Sequence, residues 1–182
     1  MMQPNFIPFP ELETERVLLR KISLSDAPEI FILRSDENVL RFIGKEPATT
    51  IYEAETFIKM INDNIATGNA IMWGISLKNN PEKLIGNICF WNFQKENYRT
   101  EIGYALHPAY WRQGIMKETI NKIIEYGFSS LGLHSIEALL SAGNTASAAI
   151  LEATGFVKEG YLKENFYFRG KFSDTIIYSR LQ

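Results

Sequence analysis

The stretch spanning residues 98–141 constrains the fold more than any other. It reads as a strand over 98–107, a loop carrying Pro108 and Gly114, an amphipathic helix over about 114–131, and a second strand over 135–141. Met116, Ile120, Ile123, Ile124 and Phe128 fall on one stripe of that helix, so one face is apolar and needs a sheet to cover it. A strand–helix–strand unit of this length is expected to be a right-handed crossover between parallel strands. The preceding strands, 70–77, 83–93 and 98–107, are separated only by Asn79-Asn80-Pro81 and Lys95-Glu96-Asn97. Connections that short join antiparallel neighbours. A chain with both features is committed to a mixed sheet.

The flanking segments extend this plan. Residues 14–22 (TERVLLRKI) read as a first strand. Ser25-Asp26-Ala27-Pro28-Glu29 supplies helix-start signals, with Ile30, Phe31 and Leu33 continuing an apolar face. Thr50-Ile51-Tyr52-Glu53 has the capping-box pattern and opens a second helix. Its apolar positions are Ala54, Phe57, Ile58, Ile61 and Ile65, and Gly68 ends it. A short helix over 144–154 is closed by Gly155, and strands near 157–162, 166–168 and 172–180 finish the chain. The expected fold class is α/β (α+β), with a mixed central sheet of about seven strands and helices on both faces. With no repeat, low-complexity tract or linker, residues 1–182 read as a single domain.

Composition removes several function classes. Lys+Arg total 19 and Asp+Glu total 21, a net charge of −2, so the broad positive field of a generic nucleic-acid binder is missing. Cys89 is the single cysteine, so no internal disulfide can form, and it sits in an apolar strand that makes it a core residue. One cysteine and two histidines do not suit a Cys/His zinc site, and no metal is expected. The N-terminus lacks a basic region and is broken by prolines, unlike a signal peptide. No run reaches the roughly 20 apolar residues a membrane span needs. A cytoplasmic protein without membrane or nucleic-acid partners is the expectation. Trp73, Trp91 and Trp111 are expected to serve packing.

Two segments carry chemistry. The first runs Glu101-Ile-Gly-Tyr-Ala-Leu-His-Pro-Ala-Tyr-Trp-Arg-Gln-Gly-Ile-Met-Lys117, from a strand into the start of a helix. A helix N-terminus presents unpaired N–H groups and a positive dipole end, which suits a phosphate. Gly114 lets backbone approach an anion closely, and Arg112 and Lys117 add charge. Neither a Walker pattern nor GxGxxG is present. A plain strand-to-helix turn fits this segment equally well. The second segment, 144–156, places Asn144 and Ser147 three residues apart at one helix end. Either could be no more than an N-cap.

Taken in order, these segments resemble the GNAT superfamily of N-acetyltransferases. Trp111-Arg112-Gln113-Gly114-Ile115-Met116 is similar to its Arg/Gln-x-x-Gly-x-Gly/Ala acyl-CoA motif, with Trp111 and Met116 departing from the usual ends. The wider 108–118 stretch, the Asn144…Ser147…Gly155-Phe156 helix, Gly160–Glu164 and Gly170–Asp174 resemble the RimJ/RimL-like branch, which acetylates N-termini of ribosomal proteins. The resemblance implies a sheet splayed where the two parallel strands part, with acetyl-CoA as cosubstrate lying in the gap. Leu106 and His107 would meet the pantetheine, and backbone N–H groups of Arg112, Gln113, Gly114, Ile115, Met116 and Lys117 would hold the pyrophosphate. Asn144 would hydrogen-bond the pantetheine arm, and Ser147 would sit near the cofactor.

The acceptor implied is a primary amine. A protein N-terminal α-amine leads, with a polyamine, an aminoglycoside or a non-catalytic acyl-CoA sensor as alternatives. The resemblance also admits a homodimer. Because an amine must lose its proton before attack, a base is useful. Glu101 resembles the strand glutamate that serves as base in histone-type members, and Glu164 is a second candidate. The tyrosine that often assists the leaving thiolate is replaced by Leu151. Ser147, or a water it positions, is the substitute.

Overall fold

A computed structural model describes residues 2–182. Its strands are β1 (Leu12–Glu13), β2 (Val17–Lys21), β3 (Ile71–Leu77), β4 (Asn80–Gln94), β5 (Arg99–Leu106), β6 (Ser135–Ser141), β7 (Val157–Phe168) and β8 (Lys171–Leu181). Its helices are α1 (Ala27–Ser35), α2 (Glu37–Leu40), α3 (Ile51–Ala66), α4 (Ile115–Ser129) and α5 (Thr145–Ala153). The strands form one sheet in the order β1-β2-β3-β4-β5-β6-β8-β7. Among the described residues only β5 and β6 pair in parallel, joined by the α4 crossover; every other neighbouring pair is antiparallel.

The parallel pair is short. Its register covers Arg99↔Ser135, Thr100↔Ile136 and Glu101↔Glu137, and stops there. Yet β5 runs on to Leu106 and β6 to Ser141. The sheet therefore opens into a wedge beyond Glu101. In an antiparallel pair, residues that exchange both hydrogen bonds alternate with residues that do not. His107 donates its N–H to Ile85 at 2.9 Å, and β4 and β5 are in register with Gly86 opposite Leu106. It follows that the N–H and C=O groups of Ile102, Tyr104 and Leu106 turn away from β4, toward the wedge.

Burial follows the period-2 pattern expected of strands covered on one face. Ile71, Trp73 and Ile75 of β3 are fully buried, as are Ile88 and Phe90 opposite them on β4. Helix α4 covers this face: the Tyr126 ring meets Trp73 edge-on at 5.6 Å, and Phe90, Leu133 and Ile136 crowd Gly127. Ile120, Ile123 and Ile124 form the buried stripe. Trp73 also donates its indole N–H to the Pro10 carbonyl at 2.7 Å, so its one polar atom is satisfied. Helices α1 and α3 pack against each other and against β4 and β3.

Several details differ from the sequence reading. The expected pair of short strands at 157–162 and 166–168 is one strand, β7, with an irregularity between Leu162 and Phe166. Glu164 lies inside that irregularity with φ 48°, which explains why the alternation breaks there. Helix α2 was not expected; Asp36 caps it by accepting the N–H groups of Asn38 and Val39. At α3, Thr49 and Thr50 donate their hydroxyls to Glu53, in place of the reciprocal capping box. Of the three tryptophans, only Trp73 is core; Trp91 is 47% and Trp111 43% exposed.

Candidate active site

The site is built around the wedge. At its open end, the chain leaves β5 through a single 3-10 turn at Pro108–Tyr110, which His107 caps by accepting the Ala109 N–H on Nδ1. Arg112 and Gly114 both take left-handed conformations, with φ 59° and 76°. That conformation is costly for arginine and free for glycine, so the loop is coiled tightly just before α4. Gly114 is the N-cap of α4 and offers no side chain to it. The first bond within the helix is Glu118 N–H to Gly114 at 3.1 Å. The N–H groups of Ile115, Met116 and Lys117 thus precede any helical acceptor and face outward from the helix start. The Ile115 and Met116 side chains are buried and anchor this end, while Arg112, Gln113 and Lys117 are exposed.

A clamp that sequence reading missed holds the loop. Arg16, at the threshold of β2, donates to the Gln113 carbonyl at 3.0 Å and to Glu118 at 2.8 Å. Its own N–H also reaches Glu118, and the Thr14 hydroxyl hydrogen-bonds the same carboxylate. Burial acts to raise the Glu118 carboxyl, but the Thr14 and Arg16 hydrogen bonds outweigh it and hold the group below its ordinary range. These partners lie about a hundred residues apart in sequence, so no local pattern announces them. On the other side of the loop, Trp111 donates its indole N–H to the Leu106 carbonyl at 2.6 Å.

Across the wedge, Asn144 caps α5 by accepting the Ser147 N–H on Oδ1 at 3.1 Å. This leaves its amide NH₂ as the free donor. Ser147 meets the Tyr104 hydroxyl at 2.6 Å, linking α5 to β5 over the gap. Burial pushes the Tyr104 phenol up to about 12, although the Ser147 bond works against that rise. Leu151 is fully buried, so the position where a tyrosine often stands is core here.

At the closed end, Glu101 is 8% exposed and lies directly beside Glu137. Burial pushes its carboxyl up to about 7; an Asn92 hydrogen bond opposes the rise and the Glu137 charge adds to it. Glu137 is ion-paired with Arg99. A groove of about 370 Å³ continues from there, lined by Arg99, Glu137, Glu159 and Ser179 among others. Glu164, by contrast, is exposed at the far irregularity of β7, where its N–H donates to Asp174 at 2.7 Å. The structure does not bring Glu164 to Glu101. Cys89 is half-buried, with its thiol toward the Gly103 carbonyl at 3.5 Å, and burial pushes it up to about 12, away from a thiolate.

Comparison with known proteins gives this arrangement its class. Residues 16–157 match the family model described as acetyltransferase (GNAT) domain, and the chain belongs to that family. It is 40% identical over 171 residues to YoaA of Bacillus subtilis, described as an uncharacterized N-acetyltransferase, covering 94% of this chain and 96% of the relative. A putative ribosomal N-acetyltransferase of B. subtilis, YdaF, matches at 27% over 92% of each chain. Spermidine N(1)-acetyltransferase of Vibrio cholerae matches at 25%, over 88% of this chain and 90% of the relative. Among solved structures, the microcin C7 self immunity acetyltransferase MccE, in complex with acetyl-CoA and AMP, superposes with a TM-score of 0.83 at 25% identity, covering 93% and 94%. The protein is an N-acetyltransferase that uses acetyl-CoA as cosubstrate.

Proposed function

We propose that the chain transfers the acetyl group of acetyl-CoA to the α-amine of a polypeptide N-terminus, by direct attack on the thioester. The observation that carries this reading is the Glu101 carboxyl, pushed by burial up to about 7. An α-ammonium has a reference pKa of about 7.7–8.0, so passing its proton to such a base is uphill by about one unit, or roughly 1.4 kcal/mol. An alkyl ammonium near 10.4 is uphill by about 3.4 units, more than 4 kcal/mol. A base tuned near neutrality suits the weaker amine. The likeness to the RimJ/RimL-like branch and to YdaF supports the same acceptor class.

The remaining residues take roles by position. Backbone N–H groups from Arg112 to Lys117 hold the pyrophosphate at the open, uncapped end of α4. Gap-facing groups of Leu106, together with His107 and the Asn144 amide, line the pantetheine arm. A gap-facing N–H near Leu106 receives the oxyanion. A strand rises about 3.4 Å per residue, which puts the N–H groups of Tyr104 and Leu106 roughly 10 and 17 Å along β5 from Glu101. Proton transfer to Glu101 over that distance is proposed to run along a chain of several waters in the wedge. Ser147 stands near the sulfur as hydrogen-bond donor.

A polyamine acceptor is the second reading. It is favoured by Glu159, a carboxylate in the groove lined also by Glu137 and Arg99; Glu137 is already paired with Arg99, which leaves Glu159 for a further ammonium group. The test is mass-spectrometric detection of acetylated product from a mixed panel of N-terminal peptides, lysine peptides, polyamines and aminoglycosides. Acetylated N-terminal peptides are expected. Turnover confined to polyamines would replace the first reading with the second, and CoA binding without any turnover would mark a sensor.

A further inference from the structure

The leaving sulfur poses a problem that the proposed site leaves open. Leu151 is a core residue, so α5 contributes no phenol to the thiolate. Ser147 alone is an unconstrained donor: a serine hydroxyl rotates among three staggered positions, and only one aims at any given atom. The structure contains a second hydroxyl that removes this freedom. Tyr104 and Ser147 are 2.6 Å apart, one on β5 and the other in the first turn of α5. They meet across the same wedge in which the pantetheine arm is placed.

We propose that Tyr104 is a positioning residue for thiolate departure: its phenol donates to Ser147 Oγ, so that the Ser147 O–H is left directed into the wedge at the sulfur. This inference rests on the acetyl-CoA placement given above. Two hydroxyls share two protons. One proton is consumed in their mutual bond and the other remains for the ligand. The 2.6 Å contact admits either hydroxyl as donor; with the phenol donating, burial against proton loss keeps its proton in place across the working pH range.

The step balances without proton transfer through the pair. The amine nitrogen lone pair forms the C–N bond, the C–S bond breaks, and its electron pair goes to sulfur. The amine proton passes along a chain of waters to Glu101. The sulfur leaves as thiolate, hydrogen-bonded by Ser147, and later takes a proton from solvent. Full transfer from a phenol held near 12 to a thiolate whose acid has a pKa of about 8.5 would be uphill by about 3.5 units, so a hydrogen bond is the stable arrangement.

The experiment titrates the thiol of bound CoA by its ultraviolet thiolate absorbance, in wild type, Tyr104→Phe, Ser147→Ala and the double variant. CoA affinity is measured on the same samples by calorimetry. The expected result is a bound-thiol pKa below that of free CoA in wild type. It should rise by about one unit in each single variant and no further in the double, with CoA affinity changed less than threefold. In turnover, Tyr104→Phe is expected to lower kcat about tenfold while KM for acetyl-CoA holds. A merely structural role for Tyr104 would weaken CoA binding and leave the titration alone. An unshifted titration in Tyr104→Phe overturns the proposal, whatever Ser147→Ala does. The titration needs no acceptor. A normal titration pattern with no acetylated N-terminal peptide would sink the acceptor reading and leave this one standing.

Discussion

Glu101 and Glu137 are direct register partners on the only parallel strand pair of the sheet, yet just one of them has a cation. Arg99 pairs with Glu137, while Glu101 receives an Asn92 hydrogen bond and stays largely buried. Burial without a cation thereby raises the Glu101 carboxyl, which is how the site can keep a base half-protonated near neutral pH.

This asymmetry predicts the pH profile. With its carboxyl pushed up to about 7, Glu101 becomes the ionised base only as pH rises through that value. kcat/KM for a peptide acceptor should climb through pH about 7 before other groups intervene. Glu137→Gln removes a like charge and frees Arg99, and both changes favour the ionised form of Glu101. The limb should move to lower pH by about one unit. Glu101→Gln should abolish the limb and cut kcat/KM by about 100-fold. A pH–rate series on the three proteins is the measurement. An unaltered profile in Glu101→Gln would remove Glu101 from the mechanism.

The same group carries a stability signature of opposite sign. Glu101 has a higher proton affinity folded than unfolded, because burial raises it from about 4.5. Between those two values the folded state binds more protons, so stability falls as pH rises from about 4.5 to 7, with the full penalty above that. Glu101→Gln keeps the shape and removes the charge. It should therefore raise Tm at pH 8 more than at pH 5. Thermal melts at the two pH values check this, and equal shifts would show that the carboxylate is not strained by its burial.

Much of the scaffold was legible in the sequence because periodicity is local. The α4 stripe, the Gly114 start and the short turns each sit within a few residues. The parallel crossover followed from them. What escaped depended on register. Nothing local says that Glu137 lies beside Glu101, that Tyr104 reaches Ser147, or that Arg16 grips a loop near residue 113. Trp91 and Trp111 differ for a related reason: residue type predicts burial well in a core, but these two lie outside the core and remain largely exposed. A hydrophobic residue departing from a motif, as Trp111 does, was the one available signal, and its indole binds the Leu106 carbonyl beside that motif.

The Arg16 clamp predicts a binding defect distinct from a catalytic one. Arg16→Ala removes the side-chain bonds to Gln113 and Glu118, keeping the backbone N–H bond to Glu118, and leaves every proposed cofactor-binding residue in place. The left-handed turn at Arg112 is then held by fewer partners, and the N–H groups at the start of α4 lose their fixed aim. KM for acetyl-CoA should rise about fivefold, the loss of one net hydrogen bond, with kcat near wild type. Steady-state kinetics at saturating acceptor make the measurement. A fall in kcat at constant KM would assign Arg16 to the chemistry.

The last prediction concerns the frame far from the wedge. Arg20 and Asp26 form a nearly buried bidentate pair at 2.9 and 2.7 Å, with side chains 16% and 4% exposed. Burial acts to raise the Asp26 carboxyl, but the Arg20 and Ser23 hydrogen bonds overcome it and hold the group below its ordinary range. A depressed carboxyl contributes stability that is fully present above its unfolded value and is lost as pH falls through the folded one. Breaking the pair from one side strands a buried charge. Arg20→Ala should therefore cost about 3 kcal/mol at pH 7. Replacing both residues by apolar ones, Arg20→Met with Asp26→Leu, should cost less than Arg20→Ala, because no charge is left behind, although Asp26 also accepts the Ser23 N–H at 2.9 Å. Urea denaturation of both variants at pH 7 tests the ranking. A double variant less stable than the single one would show that Asp26 matters chiefly through its bonds to the turn, not through Arg20.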